Sequence, residues 1–221
     1  MGTEISVVYG GSPGTACEIG SKLAELFEQT YSGYLFSDFA KVRRSSESNV
    51  YEFYEEVGDL EGRSDMEQRL RALGSGSFTY ELNMGFAPSE AHVMVFESSP
   101  DFETTVVITF EKQLTSYLFT SEVTHAPFAT VLERIGRTLQ ASCFVAGANY
   151  VRWLPLKPKE FINPQVFGDS PQVVGWREGT VDSRLVLEAL GAKREWLEKS
   201  LHGYDYVSLL GRHEQREKNQ R

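Results

Sequence analysis

The chain predicts an α+β fold, a mostly antiparallel meander sheet with helices packed on it. The first observation is strict alternation between about Phe78 and Val123. Phe78, Tyr80, Leu82 and Met84 alternate with Thr79, Glu81 and Asn83, and Val106, Ile108 and Phe110 alternate with Thr105, Val107 and Thr109. A period of two sends one set of side chains to each face of a sheet. The second observation is that the gaps are short: Gly85, Pro88 and Ser89, then Ser98 to Asp101, then Lys112 and Gln113. Links this short join antiparallel neighbours, because a parallel pair needs a crossover of a dozen residues or more. Four strands in succession are therefore expected, the last ending near Val123. The third observation is a set of helical stripes, at 15–29, 127–141, 180–190 and 193–202.

Taken in order, Glu4 to Tyr9 reads as an opening strand and Gly10 to Gly14 as a tight turn. Ala16, Ile19, Leu23, Leu26 and Phe27 then line one helix face, opposite Glu18, Lys22, Glu25 and Glu28. Either Ser12, with Pro13 as the first helical residue, or Thr15, with Glu18 three residues on, caps that helix. Gly33 confirms its stop. Tyr31 to Phe39 is aromatic-rich and reads as a strand or a packed loop. Ser64 to Leu73 is a short helix with Met66, Leu70 and Leu73 inward. Gly74 to Ser77 is the most plausible internal joint in a single domain of residues 1–211. Pro127 opens a helix with Phe128, Val131, Leu132, Ile135 and Leu139 on one stripe, where Gly136 marks close packing on the sheet. Cys143 to Trp153 is a strand. Pro155, Pro158, Pro164 and Pro171 make a stiff, donor-poor connection. Thr180 or Asp182 caps the next helix, Lys193 to Leu201 forms another, Tyr204 to Leu210 is a last strand, and residues 212–221 are a polar tail.

Composition narrows the function. With 221 residues the chain buries roughly 70% of the surface its unfolded form exposes, enough for a core without staples. Cys17 and Cys143 read as buried thiols, with one disulfide between them left open. No basic, apolar leader and no bilayer-length segment is visible, so a reduced, cytoplasmic setting is expected. A formal charge of −9 argues against nucleic acid and anionic membranes, and points to a basic partner if it has a functional meaning. The four histidines are scattered, no cysteine has a neighbour at metal-ligand spacing, and no nucleophile elbow is present. His92, in line with Met94 and Phe96, reads as a core histidine. The chain therefore leans away from an enzyme, with no metal and no cofactor expected; its oligomeric state is not legible.

Three stretches remain as candidates. Between Glu47 and Glu67 stand eight carboxylates against one cation, Arg63. Tyr51, Phe53 and Tyr54 are interleaved with Glu52, Glu55, Glu56, Asp59 and Glu61. A solvated helix face or a loop is the plain reading. The functional one is a docking surface, with aromatic anchors and a carboxylate rim that speeds encounter with a cationic partner. The spacing lacks an EF-hand calcium loop. Gly175-Trp176-Arg177-Glu178-Gly179 ends the proline-rich connection. Trp176, Arg177 and Glu178 there suit a recognition site, or else Trp176 plugs the core edge while Arg177 pairs locally. Finally, Ser12, Pro13, Gly14 and Thr15 sit between strand and helix, where backbone N–H groups make an anion site. This turn resembles the phosphate loop of flavodoxins and related FMN proteins, and that resemblance implies, as the alternative, a small-molecule or flavin (FMN)-binding enzyme using the Gly10–Thr15 turn. The whole chain, small, acidic, aromatic-rich and without enzyme motifs, resembles the immunity proteins of bacterial toxin systems. That resemblance implies a non-catalytic protein that binds a cognate, often basic, toxin, with Tyr51–Glu61 or Trp176–Glu178 as the contact.

Overall fold

The computed structural model describes residues 4–36, 38–44, 51–96, 104–111, 114, 116–118, 121–148, 171–199 and 203–210. In chain order, β1 (Ile5–Ser12) leads into α1 (Ala16–Tyr31), followed by β2 (Tyr34–Leu35), β3 (Asp38–Arg44) and β4 (Tyr51–Asp59). Next come α2 (Arg63–Leu73) and the run β5 (Ser75–Asn83), β6 (Pro88–Phe96) and β7 (Thr104–Phe110). Then α3 (His125–Leu139), β8 (Cys143–Ala148), β9 (Pro171–Arg177), α4 (Ser183–Leu190), β10 (Leu197–Lys199) and β11 (Tyr204–Ser208) complete the described elements.

The described strands all join one 11-stranded sheet in the order β10-β11-β9-β8-β1-β7-β6-β5-β3-β4, with β2 also on β5. Every pairing is antiparallel. The fold is α+β, as the alternation and the short links required. The β5–β6–β7 meander is regular, with Phe78 opposite Val93 and Val93 opposite Ile108. The N-terminal strand β1 inserts between β7 and β8. β7 and β8 therefore run parallel to each other, and the crossover between them carries α3, the length such a link needs.

Across the central strands one sheet face is apolar. Ile5, Val7 and Tyr9 join Phe78, Tyr80, Val93, Ile108, Phe110 and Phe144 in one cluster with the inward stripes of α1, α2 and α3. Phe128, Leu132, Ile135 and Leu139 of α3 are fully buried, each worth about 1.5–3 kcal/mol of transfer free energy. A Cβ on Gly136 would stand 3.3 Å from the Phe144 ring, which is the close packing expected there. The opposite face is divided. Val8, Val107, Val145, Val174 and Trp176 form a second cluster under Val186, Leu187 and Leu190 of α4 and under Trp196. Farther along, that face turns polar.

Several expectations are corrected. The fourth meander strand does not form: residues 114 and 116–118 are helical, and Glu122–Thr124 is a 3₁₀ turn leading into α3. Leu114 and Leu118 are both fully buried, one helical turn apart on the inward side. The helix expected at 193–202 is a 3₁₀ turn, Arg194–Trp196, followed by the short edge strand β10. Pairing with Tyr206 and Val207 overrides helix propensity there. The middle of the acidic segment, Tyr51–Asp59, is strand β4 rather than a helix face or a loop, and its Tyr51, Phe53, Tyr54 and Val57 favour extended structure; Asp65 and Glu67 lie on α2. Gly175 and Trp176, expected at a loop end, lie within β9, near its C-terminal end. Apart from these corrections, Gly74 is the left-handed C-cap of α2, at φ 71°, and Ser75 pairs with Phe96. Pro155, Pro158 and Pro164, the strand continuation to Trp153 and the tail 212–221 lie outside the described residues.

Candidate protein-docking surfaces

The first candidate stretch occupies the sheet's last strand. Tyr51, Glu52, Tyr54, Glu55, Glu56 and Asp59 all lie on β4, which pairs with β3 alone among the described residues. Its backbone therefore presents one open edge, the usual template for adding another strand. The register is irregular twice: Lys41 and Val42 face Glu55 and Phe53, and Phe39 and Ala40 face Gly58 and Glu56. Tyr54 and Val57 are thus the extra residues of two bulges. Bulges and carboxylates both discourage pairing with an indiscriminate neighbour. The C-terminal end of β4 is held by α2, where Arg69 donates to the Gly58 carbonyl at 2.9 Å and the Asp59 carbonyl at 2.7 Å. The same guanidinium forms an ion pair with Asp65 at 2.8 Å and lies over the Phe39 ring. Its hydrogen bond holds the Asp65 carboxyl below the usual range. Glu61, just beyond β4, is exposed.

The second stretch divides. Trp176 is fully buried in the core of the second face, so it plugs the core and offers a partner no contact. Arg177 and Glu178 are exposed, and the Glu178 N–H donates to the Gly203 carbonyl. Strands β4 and β9 are seven positions apart in the sheet, roughly 34 Å at about 4.8 Å per step. The two stretches cannot form one site.

The third stretch is a capped helix start. Thr15 accepts from the Glu18 N–H at 3.3 Å, while the Glu18 carboxylate accepts the Thr15 N–H at 2.8 Å, closing a capping box. Of the two caps open in the sequence, Thr15 is the one used. A flavin phosphate would meet that carboxylate at the N–H groups it needs. The flavodoxin likeness also requires parallel neighbours, whereas β1 lies between two antiparallel ones. A cavity of about 300 Å³ beside the turn is lined by Thr15, Cys17, Glu18, Leu70 and Arg71. Arg71 donates to the Cys17 sulfur at 3.6 Å. Cys17 and Cys143 are both buried free thiols, so no disulfide joins them.

A surface that sequence reasoning missed lies on the polar part of the second sheet face. Tyr34 is 68% exposed and Phe36 41%, and their rings meet edge to face at 6.3 Å. Tyr34 stands opposite Glu81, and Glu81 opposite Glu90. Glu111 donates its N–H to the Glu90 carbonyl. The register pairing Ile5 with Phe110, extended by one residue, sets Glu4 beside Glu111. Glu81 on β5 and Glu90 on β6, with Glu111 just past β7 and Glu4 just before β1, thus stand in a row ending at Tyr34. Two unit charges one strand spacing apart repel by about 0.9 kcal/mol in water. The neighbouring row is neutral and internally bonded, with Ser6 Oγ 2.9 Å from Thr109 Oγ1 and Thr79 Oγ1 3.1 Å from His92 Nδ1. Among the described residues no group of three or more His, Cys, Asp or Glu could hold a metal ion. The signal in the sequence was the outward register of Glu81, Glu90 and Glu111, which only strand pairing turns into a row.

Architecture and surfaces together define an α+β protein built on one wide antiparallel sheet. No family model matches the chain, and no curated protein matches it. Among solved structures it is similar to one titled "Pseudomonas aeruginosa T6SS protein PA0821". The TM-score is 0.44 at 11% identity, covering 93% of this chain and 64% of that one. Among the described residues, no helix is long and apolar enough to cross a membrane.

Proposed function

We propose that this chain is a non-catalytic protein-binding protein whose partner is basic, and that it acts as an immunity protein, neutralising a cognate bacterial toxin. The observation that carries the reading is the acidic edge strand β4. Its nine residues include Glu52, Glu55, Glu56 and Asp59 and no Lys or Arg, and its outer side meets no strand among the described residues. An open edge supplies main-chain hydrogen bonds to an incoming segment, and the carboxylates favour one rich in Lys or Arg. The likeness at a TM-score of 0.44 contributes nothing to this reading.

The test is co-expression with the products of adjacent genes, each screened for toxicity alone. Restored growth, together with a complex that survives gel filtration, is the expected result. Glu55→Lys, Glu56→Lys and Asp59→Lys together should slow association by about tenfold or more and reduce the salt dependence. Rescue without any physical complex would overturn the binding reading. A complex untouched by the triple reversal would remove β4 from it.

A further inference from the structure

We propose that the glutamate row ending in Tyr34 and Phe36 is a docking face for a cationic protein segment, best matched by a helix with Lys or Arg along one side. This deepens the basic-partner reading and rests on it, but assigns the partner a second surface. The face has three properties together. It is open, since Tyr34 is 68% exposed and Glu4, Glu81 and Glu90 are exposed. It carries two large aromatic rings at one end, which provide contact area and cation–π partners for an arriving guanidinium. Among the described residues its strands carry charge of one sign, because β1, β2, β5, β6 and β7 contain no Lys or Arg.

Like charges directly opposite one another weaken a sheet. Here Glu81 is opposite Glu90, and the row continues to Glu111 and Glu4. An arriving row of cations relieves that repulsion, which converts a cost in the free protein into affinity. The carboxylates stand in a line across strands rather than around a point, so the matching ligand is linear. Adjacent strands step by about 4.8 Å, close to the roughly 5–6 Å between helix residues three or four apart; alternate residues of an extended chain are about 6.7 Å apart. A second copy of the chain would bring the same row of glutamates and be repelled.

An isotope-labelled sample of the full chain, titrated with an alanine-based helical peptide bearing arginine on one face, tests the assignment. The glutamate-bearing counterpart of that peptide is the control. The amides of Tyr34, Phe36, Glu81, Glu90 and Glu111 should shift, saturably and only with the cationic peptide. Glu81→Lys with Glu90→Lys should weaken binding about tenfold, and Tyr34→Ala with Phe36→Ala about fivefold, both with unchanged thermal unfolding. The Glu55, Glu56 and Asp59 reversals should leave this affinity as it was. Shifts confined to β4 would overturn the docking face while the basic-partner reading stands. No saturable binding, or equal binding of both peptides, would remove both. Dimers in sedimentation that Glu81→Lys dissolves would assign the face to a second copy and overturn the proposal.

Discussion

Trp176 shows how much a single side chain's role depends on where its strand lies. Flanked by glycines and followed by Arg177, it has the composition of a recognition anchor, yet it is fully buried. Gly175 beside it leaves room for the Phe144 ring, whose Cε1 would lie 2.2 Å from an added Cβ. That ring in turn packs between Tyr9 and Tyr204. The pair is therefore structural. Trp176→Ala should cost about 3–5 kcal/mol in urea unfolding, the usual range for deleting a large buried aromatic. Arg177→Ala, exposed, should stay within about 0.5 kcal/mol of wild type. A small effect of the first substitution would return Trp176 to the surface.

Among the elements, α2 and β4 act as a unit. Arg69 ties the helix to the last two carbonyls of the strand and to Asp65 one turn earlier. At its C-terminal end, beyond the last of its two bulges, the edge strand is held by this clamp. Arg69→Ala should raise hydrogen-exchange rates about tenfold for the β4 amides near Gly58 while leaving β5 to β7 unchanged. Uniform change through the sheet would show that the guanidinium supports the whole fold instead. The elements most legible in the sequence were those whose pattern and neighbours agree. Helix α1 has its stripe and capping box, and β5 to β7 have alternation and short turns. The elements misjudged were local patterns decided by a distant partner. β10 is a strand because β11 lies beside it, and β4 is a strand because β3 does.

Across the whole molecule, the sheet has one face whose centre packs against helices and another that is part covered by α4 and part polar, and this division sets its response to pH. His92 sits on the polar half against Thr79, with Glu4 the charged group that favours its protonation. Burial outweighs that carboxylate and pushes the imidazole below its ordinary 6.5. The folded state thus favours the neutral ring. Its contribution to stability is complete above about pH 6.5 and falls away as pH drops below it. Melting should fall between about pH 7.5 and about 5.5, and His92→Gln should flatten that slope. Asp65, held below its ordinary 3.8, loses its contribution only in stronger acid and does not confuse the window. An unchanged slope in the variant would assign the effect elsewhere. By itself, the sequence determined what short-range periodicity and capping chemistry encode: an α+β chain, its main helices, the central meander and the excess of acid. Only the tertiary structure decided that the acidic segment is an edge strand, that Trp176 is core, and that glutamates far apart in sequence stand in one row. The physical reason is that a strand's edge, face and neighbours are properties of its pairing register, which long-range contacts choose and no local window contains.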